Sequence, residues 1–159
     1  MNEAQRSLIH DTVLAKKTPP LVVVECGTWL GGGSTLAAAR ALGELGHGTL
    51  HTWEVDPQRY QSALTSFMEE FPELLPYIRF HYGDFMCDIE WIQCNYHVAI
   101  LDGPENAAYT ELAFKYLQEP APRTIILHDW ETSKCERLRD TTEPTLYIPG
   151  YNGIALFEP

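Results

Sequence analysis

Five acidic side chains, Glu25, Glu54, Asp84, Asp102 and Asp129, stand at or just beyond the ends of short apolar runs. Acidic residues ordinarily scatter over solvated faces, so this clustering points to a site for a polar small molecule. Glu54 offers paired acceptor oxygens, which suit the two hydroxyls of a ribose. Asp84 is placed to accept from an adenine amine, with Phe85 or Trp53 against the ring. An ordinary turn at Gly83-Asp84 is the competing reading.

The richest stretch is the loop at residues 25–34, Glu-Cys-Gly-Thr-Trp-Leu-Gly-Gly-Gly-Ser. Glycines let a backbone approach a ligand and expose amide donors at the start of the next helix. Gly27, Gly32 and Ser34 have the spacing of a triphosphate-binding loop, but Gly33 replaces its lysine. A dinucleotide fingerprint fails because Trp29 takes its second glycine. A cofactor without phosphate remains, its carboxylate on the loop amides and its ammonium or sulfonium near Glu25. An amino-acid nucleoside has that chemistry, with Glu25, Gly27, Thr28, Trp29, Gly31, Gly33 and Ser34 as the candidate contacts.

These residues need a scaffold in which strand ends converge. Leu21 to Cys26 is a β-branched run closed by glycine, the pattern of a strand buried on both faces. Further strands are expected at 49–55, 77–82, 96–101 and 124–127, with helices at 3–16, 34–45, from Asp56-Pro57 onward, at 85–93, and from Pro104. In the third helix Tyr60, Leu64, Phe67, Met68 and Phe71 form the expected buried stripe. In the last it is Tyr109, Leu112, Ala113, Tyr116 and Leu117. The tail at 145–157 reads as a hairpin around Pro149-Gly150-Tyr151-Asn152-Gly153. This alternation predicts a doubly wound, Rossmann-like α/β fold, its mostly parallel sheet ending in a C-terminal antiparallel hairpin. Ligands of such sheets sit beyond the carboxyl ends of the strands, where all five carboxylates lie.

The 159 residues fit one domain, 1–159, with 1–19 as an N-terminal helix and a candidate cap. Acidic residues outnumber basic ones 22 to 11, for a formal charge of −11. That field repels phosphate backbones and anionic lipid, which argues against nucleic acid or membrane as partner. No apolar run is long enough to span a bilayer, and the N-terminus lacks a signal-peptide pattern. Four cysteines without paired spacing fit a reduced, cytoplasmic setting.

The ordered set Val23-Val24-Glu25-Cys26-Gly27, Glu54-Val55-Asp56-Pro57, Gly83-Asp84, Ile100-Leu101-Asp102-Gly103-Pro104 and Ile125-Ile126-Leu127-His128-Asp129 resembles the class I S-adenosylmethionine-dependent methyltransferases. Within that family it looks most like small-molecule O-methyltransferases. The resemblance covers about residues 20–157. It implies that Gly27 and the 31–34 backbone hold the methionine part, Glu54 the ribose, and Asp84 or Phe85 the adenine. Metal-dependent members would hold Mg²⁺ on Asp102 and Asp129, with an asparagine next; here that place is Trp130, which cannot ligate. Without metal, Asp102 would bind the methionine end, and His128 or Asp129 would deprotonate a small-molecule acceptor. Trp29, Trp130 and Tyr109 are candidates for an aromatic wall around it. The glycine loop is one residue longer than the family pattern, and little chain precedes the first strand. The acceptor's cover is then residues 3–16, a partner subunit of a homo-oligomer, or absent. A binding module inactive alone, or an enzyme using the cofactor for another reaction, are the alternative readings.

Overall fold

The computed structural model describes residues 1–119 and 123–159. Seven strands form one sheet: β1 (Val22–Cys26), β2 (Thr49–Glu54), β3 (Ile78–Tyr82), β4 (Val98–Leu101), β5 (Thr124–His128), β6 (Leu146–Ile148) and β7 (Ile154–Phe157). Their spatial order is β3-β2-β1-β4-β5-β7-β6. The first five run parallel, and β7 pairs antiparallel with both β5 and β6. The doubly wound sheet with its terminal hairpin is therefore as the sequence predicts. The order reverses between β1 and β4, which opens a crevice at their carboxyl ends.

Strand periodicity divides the core. Val23, Leu50, Ile78, Val98, Ile100 and Ile126 face one layer, built from α1 (Glu3–Ala15), α2 (Ser34–Leu45) and α3 (Pro57–Glu70). Val24, Cys26, Trp53, Ala99, Leu101 and Leu127 face the other, built from α4 (Ile89–Asn95), α5 (Ala107–Gln118) and the short α6 (Glu136–Arg139). On α2 the residues Ala37, Ala38, Ala39 and Ala41 are buried, so small side chains let this helix lie close to the sheet. No helix among the described residues is long and apolar enough to cross a membrane.

Several local expectations give way to tertiary packing. Pro104 does not open α5; Asn106 caps it, accepting from the Tyr109 amide, and the helix begins at Ala107. The buried face of α5 is Thr110, Ala113, Phe114 and Leu117, while Leu112 and Tyr116 are exposed. Likewise α3 buries Ala63 and Phe67 and leaves Met68 in solvent. Both stripes are turned by part of a helical step, because a helix over a twisted sheet is gripped along a narrow line. The stretch 72–77 is a 3-10 turn before β3, and 133–139 is a 3-10 turn running into α6.

The loop after β1 is held from beneath by a buried carboxylate. Glu25 is fully buried; its Oε2 accepts from the Thr35 hydroxyl at 2.7 Å and the Thr52 hydroxyl at 2.6 Å. It thus ties β1 to β2 and to the first turn of α2. Gly27 has φ +95°, and a Cβ there would lie 2.1 Å from the Asp102 carbonyl oxygen. Only glycine lets the β1 loop cross the end of β4 this closely.

Gly27→Ala is accordingly expected to lose about 3 kcal/mol or more of folding stability. Gly32→Ala, where a Cβ meets nothing within 4 Å, should be nearly neutral; urea unfolding of both measures the contrast. Burial raises the Glu25 carboxyl from its ordinary 4.5 to about 7. The folded chain then holds a proton there that the unfolded chain releases. This contribution is complete below pH 4.5 and is lost as the pH rises through 7. Glu25→Gln should lack that loss and exceed the wild type by up to about 3 kcal/mol above neutral pH, read as the difference in stability across a pH series.

Candidate functional site

A cleft of about 640 Å³ opens over the carboxyl ends of β1, β2 and β4. Glu54, at the tip of β2, is its best-fixed member. Oε2 accepts the Trp29 amide at 2.8 Å and Oε1 the Asp56 amide at 3.0 Å. Each oxygen keeps a further lone pair, so the carboxylate is oriented without being saturated. Asp56 in turn caps α3 by accepting from the Gln58 and Arg59 amides. The Arg59 guanidinium lies 3.7 Å over the exposed Trp29 ring, closing one end of the cleft.

On the next strand, Asp84 caps a 3-10 turn through the Met86 amide at 2.9 Å and accepts the Tyr109 hydroxyl at 2.6 Å. Burial, with the nearby Cys26 and Asp84, pushes the Tyr109 phenol well above its usual range, so it remains a donor. Phe85 is buried and meets Trp53 edge-on. Asp84, Phe85, Trp53, Tyr109 and Cys26 all line the cleft.

The ends of β4 and β5 carry the densest charge. His128 Nδ1 lies 3.0 Å from Asp102 Oδ1 and 3.1 Å from Asp129 Oδ1. Burial opposes charge on this imidazole, but its bonds to Asp102 and Asp129 prevail and raise it to about 9. It is therefore cationic at neutral pH, and its Nε2 is buried with no hydrogen-bond partner among the described residues. Burial opposes charge on Asp129 too, but His128 and the Lys134 ammonium hold its carboxyl well below the usual carboxylate range. Asp129 also takes a left-handed backbone conformation, φ 58°, and accepts from the Asn152 side-chain amide at 3.2 Å.

Lys134 completes the cluster. Its ammonium lies 3.2 Å from Asp102 Oδ1 and 3.2 Å from Asp129 Oδ2, and its side chain is only 1% exposed. Burial disfavours its charge, but the two aspartates more than offset this and raise its pKa. With His128 protonated, the two anions meet two cations. Asp102, His128 and Asp129 offer ligand atoms within 4.8 Å of one another, as a metal centre would. A divalent ion does not fit, however. It would add charge to a neutralised pocket and would have to displace a buried ammonium.

The predicted site residues divide. Gly27, Trp29, Glu54, Asp84, Phe85, Asp102 and Asp129 line the cleft. Glu25 does not: it lies under the loop on the α2 side, so it supports the loop and does not meet a ligand. Thr28 and Ser34 are buried beside it, Thr28 bonded to the Thr52 hydroxyl. Gly31 packs on Phe67. Gly33 faces a separate hollow between α1 and α2, with Gly32, Arg6 and Arg40. His128 is displaced from the role of base by its charge and its buried Nε2. Trp130 packs on Phe157 in the core and forms no wall. Lys134 and Asn152 were not anticipated; the one clue was that two adjacent aspartates at buried strand ends require a counter-charge.

No family model and no curated protein matches the chain in sequence. Among solved structures it is similar to an O-methyltransferase from Bacillus cereus in complex with S-adenosylhomocysteine (20% identity, TM-score 0.69, covering 98% of this chain and 80% of that one). It is also similar to the O-methyltransferase TomG from Streptomyces achromogenes in complex with S-adenosylmethionine (17%, TM-score 0.71, covering 98% and 79%). A structure from Clostridium thermocellum, named as a proposed rRNA methylase, matches over 98% of this chain and 97% of its own (12%, TM-score 0.68). With the sheet order, the cleft and these likenesses together, the chain has the fold of the class I S-adenosylmethionine-dependent methyltransferases.

Proposed function

We propose that the chain is an S-adenosylmethionine-dependent methyltransferase acting on a hydroxyl of a small-molecule acceptor. The observation that carries this is the charge of the cleft around a fixed Glu54. Its lining holds Glu54, Asp84 and Glu105 against the single cation Arg59, besides Asp102 and Asp129, which Lys134 and His128 pair from outside the lining. Such a surface attracts an ammonium and a sulfonium and repels pyrophosphate. Glu54, oriented by two amides, accepts the ribose hydroxyls; Asp84 accepts from the adenine amine beside Phe85. Gly27 and Asp102 lie where the amino-acid end would reach.

The cofactor supplies an electrophilic methyl group, so the protein's task is positioning and proton removal. With His128 charged and Asp129 held ionised by His128 and Lys134, Asp129 acts on the acceptor by accepting a hydrogen bond from its hydroxyl and orienting it, not as a strong base. The acidic surface and the small cleft favour a small acceptor over RNA. Unpaired exposed thiols at Cys87 and Cys94 suit a reducing compartment such as the cytoplasm. One feature favours a second reading, a binding module completed by a partner: Trp29, Leu30 and Val55 leave an apolar rim exposed beside the cleft.

Calorimetric titration with S-adenosylmethionine and S-adenosylhomocysteine tests the cofactor. Binding in the micromolar range (~10⁻⁶ M) is expected, weakened at least about tenfold in Glu54→Ala. Absence of binding to the folded wild type would refute the assignment. Release of S-adenosylhomocysteine by the isolated chain with a panel of hydroxylated acceptors distinguishes enzyme from module.

A further inference from the structure

The ends of β4 and β5 face one another across an ammonium. Lys134 comes from the 3-10 turn Ser133–Cys135, which follows β5 closely and carries the side chain back beneath both aspartates. The two Nζ–carboxylate distances are equal, 3.2 Å each, and the group is shut off from solvent. An ion bridging Asp102 and Asp129 would need oxygens of both at about 2.1 Å. That space lies within the reach of Lys134, whose ammonium has no other carboxylate partner among the described residues. Displaced, it would be left buried and unpaired, which costs several kcal/mol.

We propose that Lys134 is a built-in substitute for a divalent cation, holding Asp102 and Asp129 side by side as an ionised pair in a cleft that takes no metal. Lys134 is a positioning residue. It does not line the cleft, and it acts through the two carboxylates that do. Asp102 takes both charge-assisted donors, Lys134 and His128, on Oδ1, while Asp129 takes Lys134 on Oδ2 and His128 on Oδ1. Under the methyltransferase reading, on which this consequence alone rests, the acceptor needs no second oxygen next to its reacting hydroxyl, because nothing chelates it. Exclusion of metal itself is independent of that reading and is tested without turnover.

The test is a titration of the purified chain with Mn²⁺, followed by electron paramagnetic resonance of the free ion. The wild type is expected to leave the signal unchanged up to roughly millimolar Mn²⁺. Lys134→Met removes the ammonium, keeps most of the side chain's volume and frees both carboxylates. If it remains folded by circular dichroism, it should gain at least about tenfold in Mn²⁺ affinity. Lys134→Arg should restore exclusion. Stoichiometric binding by the wild type that is lost in Asp102→Asn would overturn the proposal, whatever the stability of the variants. A folded Lys134→Met that gains no affinity would overturn it equally. Cofactor titration of the same samples separates this result from failure of the functional reading.

Discussion

The buried Glu25 carboxylate is the junction on which the site depends. It sits where β1, β2 and the first turn of α2 meet, and its two threonine bonds fix the start of the loop. From there the chain has one path: Thr28 stays inside, Gly27 crosses the end of β4, and the Trp29 amide arrives within reach of Glu54. Glu54 is then clamped between that amide and its own helix cap. The cleft's most specific acceptor is thus positioned by a residue that never reaches the cleft. A carboxylate shielded from water is a costly tie, since desolvation is only partly offset by two hydroxyls. That tie holds the loop in one conformation.

The second constraint is electrostatic. A cleft suited to a cationic cofactor concentrates negative charge at the strand ends, and adjacent anions there repel one another. Lys134 and His128 relieve this from below, on the side away from the opening. The cation sites of the cluster are therefore filled by the chain itself, and the field at the mouth stays negative. The same arrangement withdraws His128 from base chemistry: a group that neutralises two aspartates is held protonated.

Much of this was legible in the sequence, and the part that was not has a physical cause. Strand ends could be placed because β-branched runs closed by glycine or acid leave little choice, and the position rule for open sheets then selected Glu54, Asp84, Asp102 and Asp129. Glu25 was misassigned although the signal was present. Residues alternate along β1, so Cys26 on the cleft side puts Glu25 with Val23 on the other. The glycines at 31 and 33 could not be oriented, because a glycine run has no side chains whose polarity says which way it faces. Lys134 carries no sign of its role in the sequence; only the fold closes β5 and the following turn around two aspartates. The shifted stripes of α3 and α5 show the same limit, since periodicity finds a helix but not its rotation against the sheet.

Crystals grown with S-adenosylhomocysteine would test the central claim most directly, by showing where the ribose lies. Both ribose hydroxyls should be within hydrogen-bond distance of Glu54, the adenine beside Phe85, and the amino-acid end toward Asp102 and Gly27. A ligand seated instead in the hollow between α1 and α2 at Gly32 and Gly33, or with its ribose remote from Glu54, would contradict it.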